Sequence, residues 1–195
     1  GKQGHVAYQH LARNPVRGMT RALSALQDEP LDQGSDHFQP SNLEVTTIDV
    51  GNKADNVIPA RVTAIFNVRF NDHHSHSSLR DALAERVSSA LAGTDFTHQL
   101  EFYGTSEVFL TEPGPLVDCI AEAIHSVTGR TPAPTTSGGT SDARFIKNYC
   151  PVLEFGLLNR TAHQVDEHVP VAHLEQLTEI YQTFIARYFD TFAGS

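Results

Sequence analysis

The spacing of apolar residues predicts an α+β chain: a ferredoxin-like βαββαβ unit over residues 1–108, followed by an α/β portion over residues 109–195. Three observations carry that prediction. From Arg61 to Phe70, Val62, Ala64, Phe66, Val68 and Phe70 alternate with mostly polar residues, the period of a half-buried strand. Two helical periodicities, one through Leu23 and one through Leu83, lie between strand-like segments. Pro113-Gly114-Pro115 then breaks the chain, and the second half reads α-β-α-β-α.

Each element has a local reason. His5–His10 reads as a short strand. Asn14-Pro15 is a helix start, with Asn as N-cap and Pro at the first helical position, and Val16, Met19, Leu23 and Leu26 share one face. The pattern ends at Glu29-Pro30, and a polar loop with Gly34, Ser35 and Pro40 follows. Leu43–Val50 is rich in β-branched residues and reads as a strand; Gly51–Asn56 is turn chemistry. After the strand at 61–70, Asp72–Ser78 reads as a solvated loop. Ser78 and Asp81 suggest a capping box for a helix carrying Leu79, Leu83, Val87 and Leu91, with Gly93 as its stop. Residues 96–110 read as a further strand.

In the second half, Leu116, Val117, Ile120, Ile124 and Val127 form an amphipathic helix that ends at Gly129. Residues 141–149 suit a short helix. Val152–Leu158 is nearly all apolar, the mark of a strand covered on both faces. Pro170 opens a last helix with a stripe of Leu174, Leu177, Tyr181, Phe184 and Tyr188.

Composition narrows the function. The chain has 195 residues, 14 Lys plus Arg and 23 Asp plus Glu, a formal net charge of −9. A chain of this length buries roughly 70% of its unfolded surface and needs no disulfide staple. The acidic balance argues against nucleic acid and anionic membranes as partners, because both select basic surfaces. No apolar run approaches the ~18 residues of a membrane span. Two cysteines, Cys119 and Cys150, make neither a disulfide framework nor a thiolate zinc site, so a reducing cytoplasm is the default location. No apolar leader opens the chain. It lacks an initiator Met and begins inside what reads as a strand, so we expect a piece of a longer protein.

Five groups of residues carry candidate chemistry. Ser137–Asp142 holds two adjacent glycines before a short helix. Such a turn gathers backbone N–H groups into a cradle for a carboxylate, or simply reverses the chain. Asn159–Glu167 sets His163 in a loop beyond an apolar strand, where open α/β sheets place ligands. A lone imidazole is not a zinc centre, which takes three or four ligands, and there is no His-Glu-x-x-His pattern. His73, His74 and His76 lie close enough in sequence to catch stray metal, but the polar setting favours a solvated loop. His5 and Tyr8, three apart, meet only if the strand ends or bends between them. Asn56 in the turn and Arg69 on the polar strand face are each either ligand donors or ordinary surface residues. Cys119 sits mid-helix on the apolar face, and no Gly-x-Ser-x-Gly elbow is present, so a covalent nucleophile is not expected.

Four stretches together resemble the dinuclear-zinc aminoacylase and carboxypeptidase family. They are Gly-Lys-Gln-Gly-His-Val-Ala-Tyr at 1–8, Asn-Val-Ile-Pro-Ala at 56–60 with Phe-Asn-Val-Arg-Phe at 66–70, Ser-Gly-Gly-Thr-Ser-Asp-Ala-Arg-Phe at 137–145, and Glu-Phe-Gly at 154–156 running on to Asn159 and His163. The resemblance implies a lid that forms a homodimer (residues 1–108), then the C-terminal part of a zinc-hydrolase catalytic domain. It implies that His5 stabilises the tetrahedral oxyanion in the other subunit's site. Tyr8, Asn56 and Arg69 would contact substrate across the dimer, Gly139 and Thr140 would cradle a substrate carboxylate, Asn159 would bind substrate and His163 would ligate metal. The cofactor implied is a pair of zinc ions, with cobalt able to replace them.

Through the Gly-Gly-Thr-Ser-Asp run followed by Arg-Phe, the same resemblance implies hydrolysis of the amide of N-succinyl-LL-2,6-diaminopimelate, a small dicarboxylate, on the route to lysine. Deacylation of acetylornithine, a carboxypeptidase activity, or a non-catalytic dimerisation module remain as readings. Family members carry the other metal ligands and a general-base Glu in a half that precedes the Gly-Lys-Gln-Gly-His strand. With at most one ligand here, the chain alone is expected neither to bind the metal pair nor to catalyse. Asp55 stands where relatives commonly carry Asn or Thr, and His10 where they usually carry Pro.

Overall fold

The computed structural model describes residues 1–104, 107–137 and 141–192. The chain divides into two compact units, Gly1–Val108 and Phe109–Ser195.

The first unit contains β1 (Gly4–His5), a 3-10 helix (Val6–Leu11), α1 (Pro15–Gln27), β2 (Asn42–Asp49), β3 (Val57–Ile58), β4 (Thr63–Arg69) and α2 (His76–Leu91). Asn14 caps α1 as its sequence suggests, its side-chain oxygen accepting from Val16 N at 3.1 Å. The cap of α2 lies three residues earlier than expected: Ser75 and Ser78 bond reciprocally, so the helix starts at His76. Ser75 wins because its hydroxyl reaches the third backbone N–H of the helix.

The strands form two antiparallel pairs, β1 with β3 and β2 with β4. On the second pair Leu43, Val45, Ala64, Phe66 and Val68 turn to the helices, where Leu23, Leu26, Leu79, Leu83, Val87 and Leu91 make the core. Leu83 is fully buried. Gly18, at the end of the first turn of α1, has a local reason: a Cβ there would lie 2.9 Å from the Phe96 ring.

Three expectations change. Residues 96–104 and 107–110 pair with no strand among the described residues, although Phe96, Leu100 and Phe102 pack half-buried on the core. The α+β class therefore holds, while the four strands stand as two pairs rather than one sheet. The strand read at His5–His10 ends at His5, because the chain coils into the 3-10 helix. The loop after β4 is not simply solvated: His73 and His74 dock it onto residues 32–34.

The second unit holds α3 (Pro115–Thr128), α4 (Ala143–Ile146) and α5 (Val171–Phe192). Gly129 takes the left-handed conformation that ends α3. Ile120 and Ile124 of α3 pack on Ile180 of α5, with Val127, Leu153, Phe155 and Phe184 around them. Arg187 of α5 pairs with Glu122 of α3 at 2.7 Å.

Val152–Leu158 forms no strand. Leu153 and Phe155 reach the helix core, but Leu158 is 63% exposed. A strand covered on both faces needs flanking strands, and the described residues of this unit supply none. The stripe expected on α5 is likewise only partly covered. Ile180, outside that stripe, is the buried residue, whereas Leu174, Tyr181 and Tyr188 remain exposed. Among the described residues of its unit, α5 packs chiefly against α3. No helix among the described residues is long and apolar enough to cross a membrane.

Candidate functional site

The structure gathers His5, Tyr8 and Asn56 at the β1–β3 pair. His5 stands opposite Val57, and Val6 N donates to Asn56 O at 3.1 Å. The turn that delivers Asn56 is held by Asn52, whose Nδ2 donates to Val57 O at 2.7 Å. The strand ends at His5, as a shared site for His5 and Tyr8 requires. Their rings lie 5.7 Å apart between centroids. The Gly-His pair follows from packing, since a Cβ on Gly4 would sit 2.6 Å from the Ala12 side chain. A backbone bridge between Lys2 and Arg13 closes the base of the 3-10 segment.

His5 also caps that segment, and this fixes its tautomer. Ala7 N donates to His5 Nδ1 at 3.1 Å. A backbone N–H only donates, so Nδ1 must be the unprotonated nitrogen. The neutral ring therefore carries its hydrogen on Nε2, and no hydrogen bond with the described residues consumes that donor. Exposed and oriented, it can serve a developing oxyanion.

Arg69 ends β4, in the other strand pair, opposite Asn42. It is exposed, and among the described residues its guanidinium has no ion-pair partner. A free guanidinium suits a carboxylate, which it can grip with two parallel hydrogen bonds. Asp55 is exposed on the turn before Asn56.

In the second unit, His163 is exposed and has φ of +61°, rare for a residue with a side chain. Its loop is braced across Thr161, whose hydroxyl donates to His168 O at 2.7 Å and accepts from His168 N at 3.2 Å. Asn159 begins the same loop, its carbonyl accepting from Ala162 N. A strained backbone held by its surroundings is common where a side chain must be aimed. Gly139 and Thr140, the proposed carboxylate cradle, lie outside the described residues. Among the described residues no three His, Cys, Asp or Glu side chains converge to hold a metal ion. Cys119 is buried, and burial pushes its thiol up, against a nucleophilic role.

The sequence reading missed a polar cluster in the first unit. Asp32 Oδ1 accepts from Gly34 N at 2.8 Å, Ser41 N at 3.1 Å and Asn71 Nδ2 at 2.6 Å. Its Oδ2 lies 3.3 Å from His74 Nε2. His73 Nε2 donates to Gly34 O at 2.8 Å. Burial pushes the Asp32 carboxyl up, but hydrogen bonds from Ser41, Gly34 and Asn71 outweigh it and hold the group well below the usual carboxylate range. Asp-Gln-Gly at 32–34 was the available signal, since Asp two residues before Gly commonly bonds the backbone there.

Residues 1–95 match the peptidase dimerisation domain. Among curated proteins, the chain is 56% identical to succinyl-diaminopimelate desuccinylase of Xanthobacter autotrophicus, over 99% of this chain and 51% of the relative. It is 54% identical to that of Rhodopseudomonas palustris and 53% identical to that of Bradyrhizobium diazoefficiens, each over 97% of this chain and 49% of the relative. The chain thus spans about half the length of these relatives. In fold it resembles the crystal structure of aminopeptidase PepT from Bacillus cereus, with a TM-score of 0.65 and 18% identity over 95% of this chain and 48% of that one. Residues 1–95 are thus similar to the peptidase dimerisation domain, and the chain as a whole is similar in sequence to succinyl-diaminopimelate desuccinylases across about half of their length.

Proposed function

We propose that this chain is the lid and the C-terminal catalytic portion of a hydrolase that splits N-succinyl-LL-2,6-diaminopimelate into succinate and LL-2,6-diaminopimelate. The observation that supports this most is His5, with Nδ1 tied down and its Nε2 hydrogen available, beside Asn56. In this reading the lid forms a homodimer, and His5 donates to the oxyanion that forms when water adds to the amide carbonyl in the partner's site. Arg69, Tyr8 and Asn56 hold the substrate from the lid. Asn159, with Gly139 and Thr140, holds it from the second unit, and His163 is a single metal ligand.

Two zinc ions belong to the reading, but their other ligands lie outside this chain, so its residues carry only binding and oxyanion roles. The isolated chain does not catalyse. A ferredoxin-like lid sheet, in which residues 96–110 add a strand, and a cytoplasmic setting are parts of the same proposal. Half-buried Phe96, Leu100 and Phe102 support the extra strand.

The test is a substrate comparison on the full-length protein that contains this chain. Succinate release from N-succinyl-LL-2,6-diaminopimelate should exceed deacylation of N-acetylornithine, and His5→Ala should lower kcat by about 10²–10³-fold. Preferential turnover of the acetyl substrate would overturn the assignment.

A further inference from the structure

We propose that Asp32 is a positioning residue for Arg69: it clamps together the strand ends from which Arg69 projects. The inference rests on the reading of Arg69 as a substrate contact. Arg69 is the last residue of β4 and stands opposite Asn42, the first residue of β2. Ser41 directly precedes that rung on one side, and Asn71 follows it by two residues on the other.

Both residues are tied to each other and to Asp32. Asn71 N donates to Ser41 Oγ at 3.1 Å, while Ser41 N and Asn71 Nδ2 both donate to Asp32 Oδ1. Asn71 Nδ2 also donates to Gln39 O at 3.0 Å, and Asn71 Oδ1 accepts from His73 N at 3.0 Å. Asn71 is 2% exposed and the Asp32 side chain 9%. One carboxylate oxygen thus joins the residue just before β2 to a residue just after β4, in a setting that water scarcely enters.

Arg69 needs this support more than a residue in mid-sheet. Among the described residues β4 pairs with β2 alone, and the ladder ends at Arg69. Beyond it the backbone depends on the cluster for its course. A free guanidinium at a fraying strand end would sample many positions, whereas one at a pinned end meets a carboxylate in a fixed place.

The experiment compares kinetics of the full-length protein with N-succinyl-LL-2,6-diaminopimelate for Asp32→Asn, Ser41→Ala, Arg69→Met and the Asp32→Asn/Arg69→Met double variant. Asp32→Asn keeps the side-chain shape and one acceptor oxygen. It should raise KM about tenfold and leave kcat within about twofold, because the loss is of ordinary substrate binding. Ser41→Ala should act in the same direction, and Asp32→Glu, which restores the charge, should recover part of the loss. In the Arg69→Met background Asp32→Asn should add less than about twofold, since the clamp then has nothing to position.

A purely structural Asp32 would instead give multiplicative effects in the double variant, or a fall in active-site concentration at unchanged KM, and either result overturns the proposal. If Arg69→Met impairs binding while Asp32→Asn and Ser41→Ala leave KM unchanged, only the positioning role fails. If Arg69→Met itself leaves KM unchanged, the substrate role of Arg69 fails and this inference falls with it.

Discussion

Replacing Asp32 with alanine should destabilise the first unit by about 3 kcal/mol at neutral pH. Three donors lose their acceptor: the backbone N–H groups of Gly34 and Ser41 and the side-chain amide of Asn71. Gly34 sits in a turn that water can reach, so its loss is small. Ser41 and Asn71 are 9% and 2% exposed, so water replaces the carboxylate poorly there. A buried donor left without a partner costs about 1–3 kcal/mol, which sets the sum for these two near 3 kcal/mol. The pH dependence follows from the direction of the shift. The folded state holds Asp32 ionised well below the usual carboxylate range. Its stabilisation is therefore complete above the unfolded value of about 4 and is lost as pH falls towards the lower, folded value. Urea unfolding of the chain and its Asp32→Ala variant, followed by circular dichroism between pH 7 and pH 2, measures both. The gap should be constant from pH 7 to about pH 5, then shrink below about pH 4 and still be shrinking at pH 2. A gap under about 0.5 kcal/mol at pH 7, or one that does not change with pH, would refute the reasoning.

Two further predictions concern packing. Alanine in place of a helical glycine ordinarily stabilises by up to about 1 kcal/mol, but Gly18→Ala should cost about 1–2 kcal/mol because the new methyl group meets the Phe96 ring; a raised midpoint in thermal unfolding would contradict this. Leu83→Ala should cost about 3–4 kcal/mol, whereas Leu174→Ala, on a side chain 44% exposed, should cost under about 1 kcal/mol. Equal losses in urea unfolding would show that the two helices are covered alike.

The two units differ in how far local sequence could be read. In the first, the capping Asn14, the four-residue spacing of Leu79, Leu83, Val87 and Leu91, and the alternation along β4 all report contacts made within the unit, and those elements formed as read. In the second, Val152–Leu158 and the α5 stripe have strongly apolar sequences but little within the unit to bury them, so neither the strand nor the full stripe appears. Apolar pattern states that a surface wants cover; it does not state which segment supplies it.

The candidate site divides in a similar way. Gly4, His5 and Asn56 were legible as motifs because a close backbone approach and a turn dictate them. The tautomer of His5 was not, since it depends on a hydrogen bond to Ala7. The Asp32 cluster was hidden because Asn71, which ties it together, lies 30 residues from Ser41 and 39 from Asp32. The His73-His74 pair read as solvated until that partner loop was in place.

In the proposed function two copies share each active site, with His5 serving the partner. Co-expression of full-length His5→Ala and His163→Ala proteins, separately tagged, tests it through the activity of the mixed population. Each variant alone should be nearly inactive. Random pairing makes half of the dimers mixed, each with one intact site of two, so about a quarter of the unmodified activity should return. A mixture no more active than its separate components would contradict sharing and assign His5 to its own subunit or to no catalytic role.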